Sequence, residues 1–532
     1  VASGRWRESS LGRPRSSRRI MSLFPQTLLD ALAEAPGRTA FEHDRRHVSY
    51  DETSAMVRRV TAGLRRAGLG PGRVVAMDTS LTPEAFAAHV AAFALGCVVV
   101  GVRPEWTESQ LSGVLSTRVD AVVVDAATAT PELLEIAGPA AALSLGDCPG
   151  ADDLLAASDD GRPITVEARA HDVARVNFTS GSTGRPKGCA WSYEALHPAF
   201  DPVRWPPDLA RLVSCFERCL VFGAWSMPVM MTFAGRSLLV GGTVVVAADA
   251  RRALAHAIER HRITGALTPV PALHRMLDVL REQSVDLTGL RALVVTGSPA
   301  TPRLLADAVA RFGPVVWQGY GQSESGMISL LTPDHIARSP GPALESVGKV
   351  LPHVEVSVRD TDGLPVPLGG IGQIFVRSPQ LMAGYWGDDA ARTGEVLRGG
   401  WLDTRDIGHL TPDGLLHLSG RARDVIMVDA HVHYAAPIER VLAGHPDVDQ
   451  AYVVGTPDER TGEAIHAFVV PRDGRAPDPE TLSSLVRVEL GAASVPTTFT
   501  VMADVPLTPG GKPDKNALLR DLPVSAPPGE AR

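Results

Sequence analysis

The chain reads as an α/β protein of at least two domains, doubly wound in its larger N-terminal part, and three observations predict this. At 532 residues it exceeds what one hydrophobic core serves. Continuous β-branched runs such as Gly96-Cys-Val-Val-Val-Gly101 and Ala121-Val-Val-Val-Asp125 alternate with helical patterns, as in parallel sheets covered on both faces. Beyond Ser346 the texture shifts to short alternating runs separated by Asp-Gly and Gly-Gly turns, and after Gly420-Arg421 it becomes α+β.

Taken in order, the periodicity predicts helices over Thr27 to Ala35 and Asp51 to Ala67, the buried strand Val74 to Met77, and a helix over Pro83 to Leu95. Further strands are expected at Val173 to Phe178, Leu238 to Val246, Ala266-Leu267 and Leu293 to Thr296, with helices over Arg252 to His261 and Ala272 to Glu282. Repetition of strand, helix and strand places ligands at the carboxyl ends of strands. Runs such as Val354 to Val358 and Gly372 to Val376 predict hairpins, with a small barrel as their closed form. Strands at Ala451 to Gly455 and Ala464 to Val470 belong to a C-terminal unit, with the boundary expected at Arg421 to Asp424.

Composition excludes several classes. A net charge of −8 and the lack of a basic run interleaved with aromatics argue against nucleic acid and anionic membrane as partners. No apolar run has transmembrane length, so no membrane insertion is expected. Five scattered cysteines without a C-x-x-C pair predict a reducing, cytoplasmic setting. Residues 1–20 carry six arginines and no apolar h-region, which excludes a secretory signal. They read as a disordered leader, or as translated upstream sequence with the start at Met21, where the amphipathic pattern begins.

The stretch richest in chemistry is Asn177-Phe-Thr-Ser-Gly-Ser-Thr-Gly-Arg-Pro-Lys-Gly188. It combines three glycines, four hydroxyls (Thr179, Ser180, Ser182, Thr183) and Lys187 at the exit of a strand. Backbone N–H groups freed by Gly181 and Gly184, hydroxyl donors and a cation suit a polyphosphate. Pro186 before the lysine and Gly188 after it exclude a Walker loop, which needs Gly-Lys-Ser/Thr at a helix start. The stretch resembles the signature loop of the adenylate-forming superfamily, which includes acyl- and aryl-CoA ligases, adenylation domains and luciferases.

The family's other motifs recur in order. Gly319-Tyr-Gly-Gln-Ser-Glu-Ser-Gly326 is similar to its Y-G-x-T-E segment, with Ser323 in place of threonine. Carboxylate oxygen suits a hard cation bridging phosphates, so Glu324 is the candidate for Mg²⁺, and Tyr320 the ring for stacking on adenine. Trp401-Leu-Asp-Thr-Arg-Asp406 resembles W-x-x-T-G-D with Arg405 in the glycine's place; Asp406, expected after a tight turn, is assigned to the ribose hydroxyls. The resemblance assigns Arg421 to the ribose and Arg423 to the hinge. Pro506-Leu-Thr-Pro-Gly-Gly-Lys-Pro-Asp-Lys515 resembles the C-terminal catalytic-lysine motif and points to Lys512, a cation between two reacting anions.

The resemblance implies a large N-terminal domain of two α/β sheets and a small barrel (21–422), and a mobile C-terminal domain (423–532) that swivels between half-reactions. It also implies ATP-dependent activation of a carboxylic acid as acyl-AMP with loss of pyrophosphate. Transfer to a thiol of CoA or of carrier-bound pantetheine follows, which makes an acyl carrier protein a possible partner. Two alternatives stay open: an adenylating enzyme with a non-thiol second step, such as amide formation or diazotisation, and a nucleotide-binding protein without turnover. Where amino-acid-activating domains carry aspartate, this chain reads Val221-Phe-Gly-Ala-Trp-Ser-Met227. The candidate pocket residues Trp225, Met227, Met231, Ser298 and Met327 favour an aromatic or medium aliphatic acid. The C-terminal domain departs from its relatives over Ala430 to Glu439, with Ala430 where glycine is usual. His431 and His433 there read as a polar strand edge rather than a metal pair.

Overall fold

The computed structural model describes residues 23–520 apart from 104–105, 116–118, 139, 160–162, 180–186, 298–299, 388–389, 429–430, 459–460 and 509–512. Two large sheets dominate. The first has nine strands in the order Lys349–Val350, Gly326–Leu331, Val316–Gln322, Ala292–Thr296, Gly265–Pro269, Arg218–Val221, Thr243–Val246, Thr39–His43 and Arg46–Ser49. The second has eight, in the order Gly384–Tyr385, Lys187–Ser192, Val173–Thr179, Val98–Gly101, Val74–Met77, Ala121–Val124, Ala141–Ser144 and Asp152–Asp153. Their central strands are parallel with helices between, the doubly wound pattern that unbroken valine runs require.

Local signals start the helices where expected. Ser49 and Glu52 form a capping box at the head of Tyr50–Arg66, and Thr82 accepts from the Ala85 N–H ahead of Pro83–Ala94. The run Leu238 to Val246 needs correction. The helix Pro228–Leu239 continues through its first two residues, Gly241 turns the chain at φ +77, and only Thr243–Val246 is strand. An apolar run does not by itself separate a buried helix end from a strand. The glycine turn closes that end, with the Gly242 N–H donating to the Ser237 carbonyl at 2.7 Å and the Gly241 N–H to the Leu238 carbonyl at 3.0 Å, and the Tyr50 hydroxyl adds contacts to the Leu238 and Gly242 carbonyls at 3.0 and 2.8 Å.

Where hairpins and a small barrel are implied, a five-stranded antiparallel sheet stands: Glu355–Arg359, Gly372–Arg377, Trp401–Leu410, Leu397–Arg398 and Leu416–Arg421. A fourth sheet contains Val425–Val428, His431–Tyr434, Val448–Asp458, Gly462–Pro471 and Thr498–Val501, and has its own apolar core around Ile438, Val453 and Val486. It touches the preceding region through polar contacts. Arg303 donates to the carbonyls of His445 and Gly444, His274 lies 3.4 Å from Asp449, and Arg472 reaches Asp307 at 4.0 Å. No helix among the described residues is long and apolar enough to cross a membrane.

Tyr50→Phe removes the hydroxyl from the Leu238 and Gly242 carbonyls, the first of which keeps the Gly241 N–H, and should cost about 0.5–1.5 kcal/mol in chemical denaturation. A change below about 0.5 kcal/mol would show that these carbonyls find other partners.

Candidate active site

The strand Val173–Thr179 leaves the second sheet and returns as Lys187–Ser192, with Thr179 paired to Lys187 and Phe178 to Gly188. The phosphate-loop residues Ser180, Gly181, Ser182, Thr183 and Gly184 lie between these ends, outside the described residues. A Cβ on Gly188 would meet Val176 at 2.7 Å and Phe178 and Trp386 at 3.0 Å, so glycine is required for the two strands to close. The Lys187 ammonium lies 5.7 Å from the centre of the Tyr385 ring, and the Tyr385 hydroxyl donates to Glu324 at 3.2 Å. Burial, and then the Glu324 charge, hold that phenol well above its ordinary pKa, so it acts as a neutral donor.

The segment bearing Ser323 and Glu324 is held from two sides. The Trp191 indole donates to the Ser323 carbonyl at 2.8 Å, and the Met382 N–H to the Glu324 carbonyl at 2.8 Å. The Cys189 thiol, on the same strand as Trp191, is buried beside Glu324; burial first and that carboxylate second raise its pKa. Lys187, Tyr385, Glu324 and Cys189 thus form one cluster where the second sheet meets the first.

A second cluster surrounds Asp406, which is 3% exposed. One carboxylate oxygen accepts from the Tyr320 hydroxyl at 2.5 Å and from the Gln322 amide at 2.6 Å. The other lies 3.1 Å from Nε of Arg421, which is its cross-strand partner. Burial and the Asp406 charge push the Tyr320 hydroxyl well above its usual range, so the phenol stays protonated and donates.

Asp406 does not follow a tight turn as expected: it sits within the ten-residue strand Trp401–Leu410, at a bulge where the register against Gly372–Arg377 shifts. Arg405 adopts φ +58 to make that bulge, a left-handed conformation natural to glycine. Its N–H is taken by Asp403 at 2.7 Å.

Of the pocket candidates, Trp225 and Met231 are core residues. The Trp225 ring packs edge-on against Phe41 and Phe86, its indole donates to the Thr82 carbonyl, and both side chains are 2% exposed. Burial of an apolar side chain does not by itself separate core packing from ligand contact. Met227 and Met327 are half-buried, beside Gly223 and Gly319, and Ser298 lies outside the described residues.

Arg423 falls in the short turn Ala422–Asp424 between the third and fourth sheets. Lys512 and Ala430 lie outside the described residues, but the chain on either side of Lys512 closes through the Leu507–Pro513 bridge and the Asp514 N–H to the Pro506 carbonyl. Lys515 is tied down: its ammonium meets Glu439 at 2.7 Å, Asp424 at 3.5 Å and the Val453 carbonyl at 3.1 Å. Burial opposes that charge, but the two carboxylates outweigh it and raise the pKa. His433 is buried, with Nδ1 3.3 Å from Ser494 Oγ.

Motif reading misses Gln322, Tyr385 and Trp191. Gln322 occupies the variable position of its motif, and neither ring has a spacing that marks it.

Arg405→Gly should stabilise the protein by about 0.5–1.5 kcal/mol, because left-handed backbone costs arginine more than glycine and the exposed pair with Glu395 at 3.3 Å contributes little. Chemical denaturation of the variant checks this, and a loss of stability would contradict it.

The model for AMP-binding enzymes matches residues 28–386, and that for the AMP-binding enzyme C-terminal domain matches residues 437–512. A feruloyl-CoA synthase from Amycolatopsis sp is 33% identical over 481 residues, covering 90% of this chain and 94% of the relative. The fatty acid–[acyl-carrier-protein] ligase ScoC of Streptomyces coeruleorubidus is 31% identical over 511 residues, covering 93% and 95%. The solved structure of the amide bond synthetase McbA from Marinactinospora thermotolerans superposes with a TM-score of 0.84 at 37% identity, covering 93% of this chain and 98% of that one. With both family models matched in order and relatives similar over nearly their whole length, the chain belongs to the AMP-binding family of adenylate-forming ligases.

Proposed function

We propose that this ligase activates an aromatic or medium aliphatic carboxylic acid as acyl-AMP, releasing pyrophosphate, and then passes the acyl group to a thiol of CoA or of a carrier-bound pantetheine. The observation that carries the reading is the convergence of three separate stretches: the loop strands ending at Thr179 and Lys187, the Ser323–Glu324 segment, and the Asp406–Arg421 pair. Trp191, Tyr385 and Gln322 lock them to one another.

In this reading the phosphate loop and Lys187 take the β- and γ-phosphates, Asp406 and Arg421 the ribose, and the Tyr320 ring the adenine. The Glu324 carboxylate, which accepts from the Tyr385 phenol, has further acceptor capacity for the Mg²⁺ that arrives with ATP. A single carboxylate suits that ion, which takes most of its other ligands from phosphate and water. Lys512 neutralises charge as the acid's carboxylate oxygen attacks the α-phosphorus and the bond to pyrophosphate breaks. Residues 423–532 act as the mobile domain that brings Lys512 in, hinged at Arg423.

A second reading of the acceptor, an amine that leaves as an amide, is supported by the 37% identity to an amide bond synthetase, above the 33% to a feruloyl-CoA synthase. The replacement of the usual glycine by Ala430 favours it too, since an added methyl narrows the path for a pantetheine arm.

Lys512→Ala should lower acid-dependent ATP–pyrophosphate exchange about 100- to 1,000-fold while ATP affinity changes little, because the lysine acts at the transition state. Wild-type exchange in that variant would refute the role. For the acceptor, single-turnover transfer from the purified acyl-AMP complex should be slow with free CoA and faster with Ala430→Gly. Transfer to CoA as fast as adenylation would contradict the narrowed channel, and rapid amide formation with a simple amine would favour the second reading.

A further inference from the structure

The strand entering the phosphate loop carries two buried polar side chains that the proposed function does not use. Arg175 pairs with Trp191 across the ladder and Asn177 with Cys189, so both face the main core, while Val176 between them faces the smaller core on the opposite side. Asn177 is 5% exposed and its amide nitrogen has no hydrogen-bond partner. Arg175 is 9% exposed; its Nε is likewise unpartnered, and among the described residues it has no carboxylate within ion-pair distance. Its guanidinium lies over the Trp191 ring at 5.7 Å.

A third orphan stands alongside. On the neighbouring strand Val99 pairs with Arg175 and Val100 with Val176, so Gly101 runs level with Asn177 and presents the same face. A Cβ on Gly101 would sit 2.5 Å from the Ser226 Cβ, which puts Ser226 against that face, and its buried hydroxyl has no partner either. The glycine is what lets the Val221–Met227 segment come so close.

Buried donors are normally paired, and leaving several unpaired in one place is costly unless a ligand completes them. This place is the carboxyl end of parallel strands, two residues before Thr179 and beside half-buried Met227.

We infer that Asn177 and Ser226 form a polar subsite for the body of the acid, and that the preferred substrate carries a hydrogen-bond acceptor, such as a ring nitrogen or a carbonyl oxygen, that these two donors take. The nearby guanidinium of Arg175, with no carboxylate in ion-pair distance among the described residues, biases the subsite toward electron-rich acceptors. The inference rests on the acid-activating reading above and deepens it.

The test is acid-dependent exchange on the full chain with matched acids: 2-naphthoic acid against quinoline carboxylic acids with the nitrogen walked around the ring, and hexanoic acid against its oxo analogues. One acceptor-bearing member should exceed its acceptor-free partner in kcat/KM by about 10- to 100-fold, because a site built to hydrogen-bond penalises the analogue that leaves its donors unpaired. In Asn177→Leu and in Ser226→Ala that ratio should fall to within about threefold of unity. Ser226→Ala, which deletes one atom, serves if the leucine variant is insoluble. Wild-type exchange without discrimination, or a ratio that survives in the variants, overturns the subsite and leaves the acid-activating reading standing. Exchange with no acid at all sinks both.

Discussion

Burial of the Asp406 carboxylate is the constraint on which the junction of the first and third sheets depends. A carboxylate almost wholly removed from water is tolerated only when its oxygens are met by donors. Here they come from two sheets: Tyr320 and Gln322 from the first, Arg421 from the third. The same contacts that satisfy the charge fix the third sheet against the first and set the Tyr320 ring. They also explain why the strand tolerates Arg405 in a left-handed conformation, since the bulge it creates turns the Asp406 side chain inward.

The second sheet is tied to the same place by different chemistry. The Trp191 indole reaches the Ser323 carbonyl, and Tyr385 links Glu324 to Lys187. One phenol and one indole thus join the second sheet to the segment that carries Glu324.

The C-terminal unit is built to a different specification. Internally it is firm, with Lys515 bridging Glu439, Asp424 and the Val453 carbonyl. Toward the rest of the chain the contacts described for Arg303, His274 and Arg472 are polar, partly exposed and individually weak. A rigid carrier on a weak interface is what a domain needs if it is to present its lysine in one step and withdraw it in another.

By itself the sequence determined the family, the order of motifs and most of the elements. Those are recorded locally, in β-branched runs, capping residues and the clustering of glycine, hydroxyl and charge. Asp406, Glu324 and Lys187 stand out in the sequence as candidates because chemistry restricts which residue types suit ribose, magnesium and phosphate. What only tertiary structure decided was which groups meet. Tyr320 and Asp406 are 86 residues apart and Trp191 and Ser323 are 132 apart, and no local pattern pairs them. The Tyr50 hydroxyl meets the Leu238 carbonyl near the end of a helix 188 residues away. The burial of Trp225 comes from Phe41 and Phe86, which pack edge-on against it. Whether an apolar residue faces a ligand or a neighbour, and whether a buried donor such as Asn177 finds a partner, is a property of the packed surroundings, which periodicity along one strand does not encode.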